Sequence, residues 1–391
     1  MTALPFEAAE YDARLQRVRQ RMDAAGLGCL ISTDPANMHY LTGYDGWSFY
    51  TPQGVAVGLD VGPVLFTRKM DANGARVTTY LDDDAILGFP DHYVQARDKH
   101  PLDWVAGELQ KRGLGRGRIG VESDAYYFTP RAYHALEAGL GDATLVDSAE
   151  LVNWVRVVKS PAELAVMREA AQIMEHVIRT GIDAVRPGVR QCDAVAAIYG
   201  AQVGGVGAFG GEYTSFVPML PTGVGTSTPH LTWSDAPFTE GEATILELGA
   251  CRHRYHVPMA RTVFLGTPPQ KLADTAEVVA EGMAAALDAV RPGVTAESVE
   301  AAWRAVISKH GLEKESRIGY SVGLNYPPDW GEHTVSFRPG DTSELQADMT
   351  FHVILGMWMD DWGYELSETF RVTPQGADCF CDVERVLFVK D

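Results

Sequence analysis

The chain has 391 residues, room for two domains of ordinary size. Its 33 Lys and Arg against 52 Asp and Glu leave a formal charge of −19, which argues against a nucleic-acid or anionic-membrane partner, since both would repel it. Charged residues at 22% and hydrophobic ones at 46% describe an ordinary folded protein, and no apolar run approaches the ~18–20 residues of a membrane helix. The opening segment lacks an apolar core before a small-residue cleavage site, so no secretion signal is visible and a cytoplasmic enzyme is expected. Five scattered cysteines, Cys29, Cys192, Cys251, Cys379 and Cys381, argue against a disulfide framework.

Residues 9–26 carry apolar positions at helical spacing and end at Gly26. A short buried strand, 29–33, comes next, and Asp34-Pro35-Ala36-Asn37 reads as a turn. Residues 55–59 and 63–67 read as two more strands, 102–112 as a helix and 118–122 as a strand. These alternations predict a small α/β domain over residues 1–155. The second domain, 156–391, opens with Ser160-Pro161-Ala162-Glu163, a capping box with proline in the first turn of a long helix.

A repeat organises the second domain. Asp183-Ala-Val-Arg-Pro-Gly-Val189 recurs as Asp288-Ala-Val-Arg-Pro-Gly-Val294, 105 residues later. Each copy ends a long helix with a Pro-Gly turn and starts another helix, which predicts an internally duplicated α+β domain. Two such halves face to face would bring strands 244–250, 255–265, 350–358 and 364–372 around one cleft, where side chains can converge on a ligand.

The segments Lys159-Ser-Pro-Ala-Glu-Leu, Thr228-Pro-His230, Leu246-Glu-Leu-Gly-Ala250, Ala260-Arg-Thr-Val263 and Asp348-Met-Thr-Phe351 resemble the creatinase/prolidase/methionine-aminopeptidase superfamily, the pita-bread fold. The resemblance implies a small N-terminal domain ahead of a duplicated catalytic domain. Metal-dependent relatives hold two ions through Asp, Asp, His, Glu and Glu. Those positions fall here on Glu247, Pro258, Tyr320, Ile354 and Ser367, so one carboxylate of the set remains. Proline and isoleucine offer a dication no donor, and no metal or other cofactor is expected. The residue before Arg261-Thr262 is Ala260, where creatinase itself has an acid.

A narrower likeness rests on Tyr40-Leu-Thr-Gly-Tyr-Asp-Gly-Trp-Ser-Phe-Tyr50, Pro90-Asp-His-Tyr-Val94, Pro229-His-Leu-Thr-Trp233, Tyr255-His-Val-Pro258 and Tyr326-Pro-Pro-Asp-Trp-Gly-Glu332. These resemble the ectoine hydrolases, a branch of the same superfamily. That resemblance implies hydrolysis of the cyclic amidine of ectoine, and of 5-hydroxyectoine, to N-acetyl-2,4-diaminobutyrate in ectoine catabolism. The resemblance to creatinase-like relatives also implies a homodimer in which the small domain of one subunit lids the cleft of the other. The competing expectations are a metal-dependent Xaa-Pro dipeptidase, a creatinase-like guanidino-acid hydrolase and a non-enzymatic binding protein of the same fold.

Opening an amidine ring needs attack at the amidine carbon and a proton for the departing nitrogen. Glu247 sits mid-strand in an apolar run, where a charged side chain is costly unless paired or functional, and is the candidate nucleophile or base. His230, in a loop, matches the superfamily's catalytic histidine and is the candidate proton carrier. Glu365 alternates onto one strand face with Ser367 and is a candidate hydrogen-bond acceptor for an amidinium N–H, a surface position being the competing expectation. Arg338 or Arg261 would bind the substrate carboxylate, with structural ion pairs as the alternative. Tyr44, Trp47 and Tyr50, then Tyr326 and Trp330, offer aromatic faces for a planar cation, with core packing as the alternative. His256, His333 and His352 read as structural.

Overall fold

The computed structural model describes residues 4–391, which divide into two compact units at Arg156 and Val157. No helix of the described residues is long and apolar enough to cross a membrane.

The first unit is a mixed sheet with helices. Its strands are β1 (Cys29–Ser32), β2 (Gly54–Gly58), β3 (Val64–Arg68), β4 (Ile86–Phe89), β5 (Gly117–Val121) and β6 (Ala143–Asp147), in spatial order β4-β3-β2-β1-β5-β6. β2 runs antiparallel to both β1 and β3, and the remaining pairs are parallel. The helices are α1 (Ala8–Ala24), α2 (Pro35–Thr42), α3 (Ala72–Thr78), α4 (Pro101–Lys111), α5 (Pro130–Gly139) and α6 (Leu151–Arg156). Ile31, Phe66, Phe89, Leu102, Val105, Leu109 and Leu136 form one core between the sheet and its helices. The expected turn at Asp34–Asn37 is instead the start of α2. The Asp34 carboxylate accepts the Ala36 N–H at 2.8 Å, Pro35 occupies the first turn, and Gly43 closes the helix at φ 81°.

The second unit begins with α7 (Pro161–Ala184) and α8 (Gln191–Gly204), then the antiparallel hairpin β7 (Ala243–Arg252) and β8 (Tyr255–Leu265). It repeats that plan with α9 (Gln270–Ala289), α10 (Ala296–Ile307), β9 (Gly319–Val322), β10 (Gly331–Ser336), β11 (Thr350–Trp358) and β12 (Gly363–Thr373). β13 (Gly376–Cys379) extends a five-stranded antiparallel sheet, β10-β9-β11-β12-β13, while β14 (Phe388–Lys390) lies parallel to β8 in a three-stranded one. The capping box of α7 is formed: the Glu163 N–H donates to Ser160 Oγ at 3.2 Å and the Ser160 N–H to Glu163 Oε2 at 2.8 Å.

The sequence repeat is also a repeat of backbone bonding. Gly188 N–H donates to Phe238 O and Gln191 N–H to Ala236 O; in the second half Gly293 N–H donates to Leu345 O and Ala296 N–H to Ser343 O. Gly188 and Gly293 hold φ of 81° and 85°, a left-handed turn that glycine adopts without Cβ strain.

The two sheets of this unit meet along β8 and β12, joined by side chains instead of a backbone ladder. Thr262 Oγ1 donates to Glu365 O and accepts the Glu365 N–H, both at 2.9 Å. Ser367 Oγ accepts the Ala260 N–H at 2.6 Å. This seam brings Glu247 of β7 and Glu365 of β12 to one place.

Candidate active site

Glu247 lies opposite Ala260 in the β7–β8 ladder and is 4% exposed. Burial, and then the charge of Asp329, push its carboxyl up to about 7. Glu365 lies opposite Gly356 in the β11–β12 ladder and is fully buried. Among the described residues neither of its carboxyl oxygens has a hydrogen-bond partner. Burial and the Glu247 charge push this carboxyl well above the ordinary range, with the Lys314 ammonium pulling the other way. Glu365 is therefore not on a surface. Two buried acids sharing one region, one of them without a hydrogen-bond donor among the described residues, make a strongly anionic pocket once ionised, suited to a cation.

Aromatic rings wall this region. Trp330 is fully buried, and a Cβ at Gly249 would meet its ring at 2.8 Å, so the glycine admits the indole two residues from Glu247 on the same strand face. The Phe216 ring centre lies 4.4 Å from Trp330 in edge-on packing. The Trp330 Nε1–H donates to Tyr320 Oη at 2.8 Å. Tyr320 Oη also bonds His352 Nδ1 at 3.1 Å, and His352 Nε2 bonds Ser367 Oγ at 2.8 Å. Burial pulls both His352 and His256 down to about 3, so both are neutral at ordinary pH. His256 Nε2 accepts the Ser215 N–H at 2.9 Å. Burial raises the Asp329 carboxyl, but hydrogen bonds from His333 Nε2 at 2.7 Å and the Gly331 N–H at 2.9 Å outweigh it, and the net pKa lies below the ordinary range.

Other expected residues lie in varied places. His230 is exposed, three residues after a 3-10 turn, Gly223–Ser227, that packs against β7, β11 and β12. Tyr326 is buried with its ring 5.5 Å from the Arg254 guanidinium. Arg338 is exposed, on the rim of a cavity it shares with Lys314. Arg261 is withdrawn from substrate binding. It is fully buried, and its guanidinium donates to the carbonyls of Ala260, Ser367, Val383 and Glu384 and to Glu368 Oε1. In the first unit Trp47 and Tyr50 are 63% and 61% exposed. Tyr44 differs from them: it is 3% exposed, burial pushes its hydroxyl up to about 12, and it packs in the interior of the first unit, so it is not part of the exposed aromatic pair.

The donor set does not fit a dinuclear metal centre. Pro258 and Ile354 carry no donor, and the Ser367 and Tyr320 oxygens are spent on hydrogen bonds within the protein. Among the described residues no group of three or more His, Cys, Asp or Glu side chains is arranged to hold an ion.

Sequence reasoning missed Lys314, Asp329 and Phe216. Glu313-Lys314-Glu315 reads as a solvated charge run, and only packing reveals that the lysine is 6% exposed. Asp329 lies within the aromatic Tyr326–Glu332 segment, the one available signal, whereas nothing around Phe216 marks it.

Known proteins show the family. Residues 165–374 match the model of metallopeptidase family M24, and residues 14–158 that of the creatinase/prolidase N-terminal domain. The chain is 43% identical over 395 aligned positions to a protein of Halomonas elongata named ectoine hydrolase, covering 99% of each. It is also 43% identical to an uncharacterized hydrolase/peptidase of Sinorhizobium fredii, covering 100% of each. Among solved structures, a prolidase from Thermococcus sibiricus superposes with a TM-score of 0.84 at 18% identity, over 97% of this chain and 99% of that one. An Xaa-Pro dipeptidase from Bacillus anthracis gives 0.80 at 21%, over 97% and 100%. The chain is a hydrolase of metallopeptidase family M24, with the family's pita-bread fold and a creatinase/prolidase N-terminal domain.

Proposed function

We propose that this hydrolase opens the cyclic amidine of ectoine, and of 5-hydroxyectoine, to N-acetyl-2,4-diaminobutyrate without a metal ion. The observation that carries the reading is the Glu247–Glu365 pair: two buried carboxylates, one with both oxygens unpartnered among the described residues, at a site whose metal donors are lost. A planar amidinium supplies the missing positive charge and N–H donors for Glu365. Trp330 supplies an aromatic wall. The full-length similarity to the Halomonas elongata protein named ectoine hydrolase supports the same substrate.

In this scheme Glu247 either attacks the amidine carbon or removes a proton from an attacking water. The ring C–N bond breaks, its electron pair passes to nitrogen, and His230 delivers a proton there. Across the cycle one water is consumed and one amide and one amine are formed. Trp47 and Tyr50 of one subunit close the cleft of the other in a cytoplasmic homodimer, excluding water beyond the one consumed.

The test is to incubate purified protein with ectoine, with and without exhaustive chelation, and to identify products by NMR and mass spectrometry. N-acetyl-2,4-diaminobutyrate at equal rates in both is expected. Unchanged ectoine overturns the substrate, and chelator-sensitive turnover restored by zinc or manganese overturns the metal-independent chemistry.

A further inference from the structure

Lys314 precedes β9 and is 6% exposed, an uncommon state for a lysine. Its Nζ donates to Gly356 O at 2.7 Å and lies 4.0 Å from the Trp358 ring centre. Among the described residues that is its one hydrogen bond, so two of the ammonium's three N–H groups are unspent. Burial lowers its pKa to about 8, while Glu365 acts to raise it.

Its position relative to Glu365 is fixed by the strand register. Gly356, whose carbonyl holds Nζ, is the cross-strand partner of Glu365. Lys314 also lines a cavity of about 590 Å³ with Glu313, Glu315, Arg317, Arg338, Gly356 and Trp358. Arg317 is engaged, its guanidinium 4.5 Å from the Tyr320 ring centre and donating to Ser336 Oγ at 3.0 Å. Arg338 is exposed. Lys314 is thus a buried cation with spare donors that lines this cavity and lies within electrostatic reach of Glu365, whose carboxyl oxygens have no hydrogen-bond partner among the described residues.

We propose that Lys314 binds the carboxylate of the zwitterionic substrate while Glu365 and Glu247 take its cationic end. This rests on the reading of the site as a cyclic-amidine hydrolase. The charge order across the site, two acids and then an ammonium, matches a small molecule bearing an amidinium and a carboxylate on one ring. It accounts for a buried lysine that no carboxylate among the described residues pairs closely. It also moves carboxylate recognition inward from Arg338, whose exposure to water weakens any ionic contact it makes. A cation lacking the carboxylate leaves Lys314 uncompensated, so the arrangement selects zwitterions over simple amidinium ions.

The experiment compares kcat/KM for ectoine with that for 2-methyl-1,4,5,6-tetrahydropyrimidine, the same cyclic amidine without the carboxylate. The enzymes are wild type, Lys314→Met, Lys314→Gln and Lys314→Arg, each checked for folding by circular dichroism. Glutamine keeps a donor for the Gly356 carbonyl, so a folded neutral variant does not depend on methionine alone. The wild type is expected to prefer ectoine. The ratio of the two values is expected to fall about 10–100-fold in the neutral variants, the worth of a charge-assisted hydrogen bond, and to be largely kept by arginine. Equal losses on both compounds, or an unchanged ratio, overturn the role of Lys314 while leaving the substrate reading intact. A wild type inert towards ectoine overturns the reading and this inference with it.

Discussion

Glu247 is held where its ionised form is disfavoured, and that has a thermodynamic sign. Its folded pKa, about 7, lies above the ordinary value of 4.5, so the folded state holds a proton that the unfolded chain has released. Stability from this group is present below the ordinary carboxylate pKa and is lost as pH rises through about 7. Neutral His256 and His352 act oppositely: their folded pKa values near 3 make the protein lose stability as pH falls below about 6.5. Comparing Glu247→Gln with wild type isolates the first effect. The variant is expected to be more stable by about 1–3 kcal/mol at pH 8, with the gap closing towards pH 4, in thermal or urea unfolding. The same variant is expected to lose about 10²–10⁴-fold in turnover while remaining folded. Near-normal activity would remove Glu247 from the chemistry.

At the scale of elements, the duplicated Arg-Pro-Gly-Val turns give the clearest expectation. Gly188→Ala and Gly293→Ala each place a Cβ at positive φ with nothing within 4 Å, so the cost is purely backbone, roughly 1–2 kcal/mol at either site in urea unfolding. Very unequal costs would show that the two turns are not equivalent. These turns also show which features are legible in sequence. The repeated heptapeptide, the Ser160 capping box and the largely apolar runs at 255–265 and 350–358 carry their structure locally, and β8 and β11 have those same bounds. The first turn of α2 is ambiguous because Asp-Pro serves equally as a turn or a helix start, and the residues after Asn37 decide between them. In the site, Glu247 is legible as a charge inside an apolar strand. Lys314 is not, because burial between two flanking glutamates is a property of packing across β11 and leaves no mark in local sequence. Tyr44 escapes sequence reasoning for the converse reason: nothing local separates it from Trp47 and Tyr50, which the fold leaves exposed.

At the scale of the molecule, the exposed Trp47 and Tyr50 bear on assembly. If they complete a neighbouring subunit's cleft, then Trp47→Ala and Glu247→Gln, each inactive as a homodimer, complement each other when mixed. One cleft of the mixed dimer carries both lesions and the other none, so up to about half the activity of an intact dimer is expected per mixed dimer. Subunit exchange is verified with differently tagged chains. Exchange without recovered activity assigns the two aromatics to their own subunit.

The seam between β8 and β12 has a consequence for how the chemistry can change over time. Glu247 belongs to one sheet and Glu365 to the other, and Thr262 and Ser367 hydroxyls span the join. The spacing of the two carboxyl groups is therefore set by side chains, whereas a shared backbone ladder would lock it to the strand repeat. Exchanging one hydroxyl for a methyl can move the acids apart or together while both hairpins keep their register. Substrate range in this architecture can then drift by small steps at the join, with neither hairpin rebuilt and no acid replaced.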